Sequence, residues 1–125
     1  MPVSANLAVL IGRALIAILF IAGALQKAID PTAAMHLLTG FGLPAPLIWV
    51  ALGFNAIAGM MVLAGWAVRP MAFLLAGYCG VTSFFHLIPD DPWQMSIFVK
   101  NWAIAGGCLV LAAHGPGRYV LGKLG

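Results

Sequence analysis

Residues 7–25 read LAVLIGRALIAILFIAGAL, a stretch in which Arg13 is the one charged side chain. About 20 predominantly apolar residues in a helix span the hydrocarbon core of a bilayer. In water the same helix, apolar on every side, would have to be wholly buried. A chain of 125 residues cannot do that for many such segments, because small domains keep much of their surface exposed. Composition extends the point: 63% of residues are hydrophobic and 7% charged, with mean hydropathy +1.06. Soluble domains carry about 25% charged residues. Lipid is therefore the expected solvent for most of this chain.

Three further runs share the character of the first. They are PLIWVALGFNAIAGMMVLAGW (46–66), MAFLLAGYCGVTSFFHLI (71–88) and QMSIFVKNWAIAGGCLVLAAH (94–114). Open strands would leave backbone groups unpaired in lipid, so each is expected to be a helix. The expectation is an all-α membrane protein, one four-transmembrane-helix bundle over residues 1–125, with spans near 7–27, 46–66, 71–88 and 94–114. AGA at 22–24 resembles a signal-peptide cleavage site, but the residues before Arg13 are apolar rather than a charged leader. The first run is expected to stay in the protein.

Working outward, QKAIDPTAAMHLLTGFGLPAP joins the first two runs. Asp30-Pro31 predicts a helix start, with Asp as N-cap and Pro at the first helical position. PTAAMHLL then forms a short interfacial helix that the glycines and prolines of GFGLPAP stop. Arg69-Pro70 and PDDP (89–92) predict tight turns. Arg69, Arg118 and Lys123 fall on one side, against Lys27, Asp30, Asp90 and Asp91 on the other. The positive-inside rule then places both termini in the cytoplasm. The positive charge is small and scattered, which excludes a nucleic-acid binder.

Charged and amide groups inside apolar runs are expensive and often mark a site. Arg13 and Lys100 each lie about six residues into a run, roughly 9 Å deep at the helical rise. Each either snorkels to its own interface or stabilises charge on a ligand. Gln94, Ile97, Asn101, Ala105 and Cys108 form one helical stripe, and Cys79, Thr82 or Ser83, and His86 another. Asn55 adds an amide in the second run. Facing stripes would make a polar pocket in the outer half of the bundle. Interhelical hydrogen bonding is the plainer reading of Asn55 and Asn101. His86 is the candidate catalytic residue, since histidine exchanges protons near neutral pH; the plainer reading bonds it to the PDDP turn. His36 and His114 sit at run ends, where an interfacial role is expected.

Cys79 and Cys108 lie far apart without a CxxC, and depths counted along the helices do not align them. Two separate buried thiols are expected. No metal set is expected, and no haem, flavin or iron–sulfur motif is present.

IGRALIAILFIAGALQKAID, GFGLP, FH at the end of the third run, QMSIFVKNWAIAGG and HGPGRYVL occur in this order. With that order and spacing the chain resembles the DoxX family of small bacterial membrane proteins. The resemblance implies a multi-pass four-helix protein of the bacterial inner membrane with a redox-linked role. Some members resemble the small subunit of a thiosulfate:quinone oxidoreductase or of a terminal quinol oxidase; others are associated with redox-stress systems. It highlights Arg13, Gln26, Lys27, His86, Gln94, Lys100 and Asn101. The family's usual acidic residue shortly after HGPGRY is replaced here by VLGKLG.

The reading that joins these strands is a membrane redox subunit whose outer-half pocket binds a quinone-like or other small amphipathic molecule. His86 acts on the ligand, with Arg13, Asn55, Gln94, Lys100 and Asn101 around it. Electrons would come from a bound quinone or a redox-enzyme partner. The alternatives are a non-catalytic scaffold for a soluble redox enzyme, self-association included, and a small-solute carrier.

Overall fold

The computed structural model describes residues 3–120, and their secondary structure is entirely helical. The order is α1 (Val3–Ile29), α2 (Pro31–Gly40), α3 (Leu47–Ala64), α4 (Val68–Ser83), a single 3-10 turn (Phe84–His86) and α5 (Pro92–His114). The segments α1, α3, α4 with its 3-10 extension, and α5 are each long and apolar enough to cross a membrane. With α2 between the first two spans, this is the expected four-helix architecture.

Local chemistry sets the breaks. α1 stops at Pro31, whose nitrogen has no hydrogen to continue the helical ladder. Asp30 occupies the N-cap of α2, yet its carboxylate makes no capping hydrogen bond. Asp91 caps α5, its Oδ1 accepting from Trp93 N at 3.0 Å and Gln94 N at 3.3 Å. The turn after α3 lies at Gly65–Ala67 rather than at Arg69-Pro70. Gly65 takes φ +85° and donates to Met61 O, while Ala67 is left-handed at φ +51°. Pro70 falls in the first turn of α4, where a missing N–H costs nothing.

Two antiparallel pairs make the bundle: α1 lies against α3, and α4 against α5. The first pair closes tightly at Gly59. A Cβ there would stand 2.9 Å from Ile21 Cγ1 and 3.3 Å from Ala17 O, so only glycine lets the backbones approach. A shared core of Ala17, Phe20, Val62, Leu75, Cys79 and Cys108 joins the pairs. Outward positions stay apolar, with Leu15 64% and Val110 69% exposed. That surface contacts the lipid bilayer, which solvates it as a core would.

The chain after α5 crosses the end of the bundle opposite α2, and this tail end is stapled by side chains. Arg69 donates to Ala113 O at 2.9 Å and His114 O at 3.2 Å, the orphan carbonyls that finish α5. Arg13 Nη1 donates to Pro116 O at 2.8 Å, and its Nη2 to Leu63 O at 3.2 Å. Asn6 Oδ1 accepts from Arg118 N at 3.2 Å. Gly115 (φ +92°) passes so close under Arg69 that a Cβ would meet the guanidinium at 2.9 Å. Lys123, assigned to this side by its charge, lies outside the described residues.

Candidate functional site

Near the α2 end residues of both helix pairs line a half-open cavity of about 820 Å3. Its apolar walls include Leu19 and Phe20 of α1, Ile48 of α3, and Ile97 and Ile104 of α5. Ala33, Ala34, Leu37 and Leu38 of α2 line it as well. The short helix is thus a roof over the cavity as well as an interfacial element. Phe41, just beyond it, meets Phe85 edge-on at 5.1 Å between centroids, tying the roof to the end of α4.

Polar groups reach the cavity from every long helix. α4 and its 3-10 extension bring Tyr78, Thr82 and His86; α5 brings Gln94 and Asn101; α3 brings Asn55; α1 brings Gln26, Lys27 and, just beyond its end, Asp30. The helical stripes explain the α5 set, because Gln94, Ile97 and Asn101 follow one another at three and four residues. Further along that stripe Ala105 and Cys108 pass into the core.

His86 and Gln94 form one polar station. His86 Nδ1–H donates to Gln94 Oε1 at 2.6 Å. A carbonyl oxygen can only accept, so the neutral ring carries its hydrogen on Nδ1 and keeps a lone pair on Nε2. The PDDP turn is not its partner. Gln94 holds the ring, and Asp91 holds Gln94 N, so the turn acts on His86 through the start of α5.

A second station lies on α1, α3 and α4. Asn55 is 2% exposed, and its Nδ2 donates to the Tyr78 hydroxyl at 3.2 Å. Its Oδ1 is buried without a hydrogen-bond partner among the described residues. Tyr78 is itself held between Phe20, at 6.5 Å edge-on, and Phe54, at 5.4 Å. Lys27 Nζ makes one long bond, 3.5 Å, to Gly23 O of its own helix. Asn101 faces the cavity without a hydrogen bond among the described residues.

Of the candidates read from sequence, His86, Asn55, Gln94 and Asn101 come together here. Arg13 and Lys100 do not. Arg13 lies at the tail end, 2% exposed, its Nη atoms satisfied by backbone carbonyls of a loop and a helix end. Lys100 is on the exposed face of α5 and reaches back to the Trp93 ring, 5.8 Å from its centroid. Side chains on a helix lean toward its N-terminus, which carries Lys100 along the lipid face to the interface. Ser83 is also drawn away, buried and donating to Gly80 O at 2.7 Å.

Tyr78 is the residue that sequence reasoning missed. Its position four residues before Thr82 put it on the same face, a signal that the surrounding apolar run concealed. Lys27 lines the cavity, where Lys100 or Arg13 was the cation expected. Both cysteines are buried free thiols. Among the described residues no three His, Cys, Asp or Glu side chains gather as metal ligands do.

Residues 8–88 match the DoxX family profile. The chain is similar to inner membrane protein YqjF of Escherichia coli K12, 30% identical over 120 residues that cover 95% of this chain and 92% of that protein. It is also similar to inner membrane protein YphA of the same organism, 27% identical over 91% of this chain and 87% of that protein. No solved structure gives a significant match.

Proposed function

Since the chain belongs to the DoxX family of integral membrane proteins, we propose that it is an inner-membrane ligand-binding subunit linked to redox chemistry. Its ligand is a quinone-like or other small amphipathic molecule held in the cavity under α2. The observation that carries this reading is the cavity itself: about 820 Å3, apolar-walled, with His86–Gln94 and Asn55–Tyr78 facing into it. A concave apolar site with a few convergent polar groups is the usual form of a small-molecule site. The positive-inside rule puts the cavity on the outer side, with both termini cytoplasmic.

The groups then divide the work. His86 exchanges a proton with the ligand or bonds its oxygen through the nitrogen that Gln94 leaves free. Asn101 orients the ligand, Lys27 steadies negative charge on it, and α2 shields the apolar part from water. Electrons come from a partner enzyme or a second quinone. Purified protein in nanodiscs should bind a short-chain quinone, and His86→Ala and Asn101→Ala should each weaken binding about ten-fold, the scale of one lost hydrogen bond. Unchanged affinity in both variants would overturn the site.

One observation favours a second reading. Gly12, Gly53, Gly77 and Gly106 have open space where a Cβ would stand, so another helix could approach closely there. A non-catalytic assembly subunit would use these faces, and would keep its partner on purification after the cavity residues are substituted.

A further inference from the structure

Long basic side chains near the end of a membrane span snorkel, carrying their charge out to the interface. Lys27, in the last turn of α1, does the reverse. Its Nζ reaches back one turn to Gly23 O at 3.5 Å, away from the α2 end of the bundle. The lean of helical side chains toward the N-terminus favours this direction. Gly23 leaves the room for it, since a Cβ there would stand 3.7 Å from the ammonium. Gly23 and Lys27 both line the cavity. Charges at membrane depth usually have a partner, yet Lys27 makes no ion pair among the described residues. Asp30 lines the cavity too, but it lies exposed beyond the end of α1. The other polar atom beside the Gly23 gap is Asn55 Nδ2, at 3.9 Å. It also donates, with two hydrogens of which Tyr78 takes one. Two nitrogen donors, one of them charged, thus border the same gap.

We propose that this corner of the cavity takes the carboxylate of a single-tailed amphiphile, a fatty-acid-like anion, with Lys27 as its counter-ion. The assignment rests on the cavity being a ligand site and adds the charge of the ligand's head. A carboxylate only accepts, and its two oxygens offer about four lone-pair sites, enough to serve both nitrogens. Hydrogen bonds to ionised groups are roughly twice as strong as those between neutral ones. An ester or ketone would accept from the same nitrogens and leave the ammonium uncompensated among apolar walls, which is the costly arrangement. The tail has the apolar wall of Leu19, Phe20 and Ile48 to lie against.

The test compares laurate with methyl laurate by equilibrium binding to the full chain in phosphatidylcholine nanodiscs, with partition into empty nanodiscs subtracted. The comparison is made at about pH 8, above the ordinary carboxyl range. Laurate should bind about ten-fold more tightly, the scale of one hydrogen bond to a charged group. Lys27→Met should erase that difference by lowering laurate to the affinity of the ester. Methionine keeps an unbranched apolar stem and removes a charge from an apolar setting, so the variant folds. Lys100→Met removes a cation from the lipid face of α5 and should keep the preference. Equal affinity for laurate and ester overturns the assignment. So does a preference that survives Lys27→Met, or one that Lys100→Met also abolishes. Lipid phosphate is in excess in these nanodiscs, so a corner that it fills would show no laurate preference. Quinone binding without a laurate preference overturns the carboxylate assignment and leaves the cavity reading standing. No binding of laurate, ester or quinone overturns both.

Discussion

Arg13 keeps a guanidinium inside the bundle by joining chain segments that are far apart in sequence. Leu63 O belongs to the last turn of α3, which has no helical partner of its own, and Pro116 O to the loop after α5. Hydrogen bonds to a charged group contribute about 1.5–3 kcal/mol. Arg13→Met is therefore expected to lower stability by about 2–4 kcal/mol, within the range of two such bonds partly offset by apolar replacement. Thermal unfolding in detergent reads that loss, and ligand affinity should stay unchanged because Arg13 is remote from the cavity. Lys100 and Arg13 look alike in the sequence, each a lone cation in an apolar run. Their fates differ because α5 turns Lys100 outward to Trp93 while α1 turns Arg13 inward. Helical spacing marks which residues share a face. Which face meets a neighbour is a property of the assembled bundle.

At the scale of the elements, most starts and stops were legible because they depend on a few adjacent residues. Pro31 and Pro92 open helices, and Gly40, Gly65 and Gly115 fall at or next to helix ends. The two aspartates preceding those prolines look equivalent in sequence, yet Asp91 alone of them accepts capping hydrogen bonds. Asp91→Ala should lower stability by about 1 kcal/mol, the usual cost of a lost N-cap. It should also weaken ligand binding, since Gln94 holds His86 from that first turn. Asp90→Ala, one residue away and exposed, should change stability by less than about 0.5 kcal/mol. Denaturation of both variants side by side checks the pair. The place of α2 was only half legible. Its sequence predicts a short interfacial helix, but its role as roof depends on Leu37 and Leu38 lining the same cavity as residues of the long helices.

For the whole molecule, the division into two helix pairs leaves the cavity between them at one end, while the Arg13, Arg69 and Asn6 contacts close the other. The proposed orientation puts the cavity end outside. In a Cys79→Ala, Cys108→Ala background, Asp90→Cys should react with a membrane-impermeant maleimide in intact cells, whereas Arg118→Cys should react only after lysis. The reverse pattern would invert the topology. By itself the sequence determined that lipid surrounds this chain, that four helices cross it, and that its polar side chains fall in stripes. Those features arise from hydropathy and from chemistry local to a few residues. Only the tertiary structure decided that Asn55 meets Tyr78, that Lys27 rather than Arg13 or Lys100 lines the cavity, and that α2 lines it too. These depend on which helix faces turn toward one another, and hydrogen-bonded partners lie as far as 112 residues apart, for Asn6 and Arg118. Close packing selects that arrangement through shape at positions such as Gly59, where hydropathy carries no information.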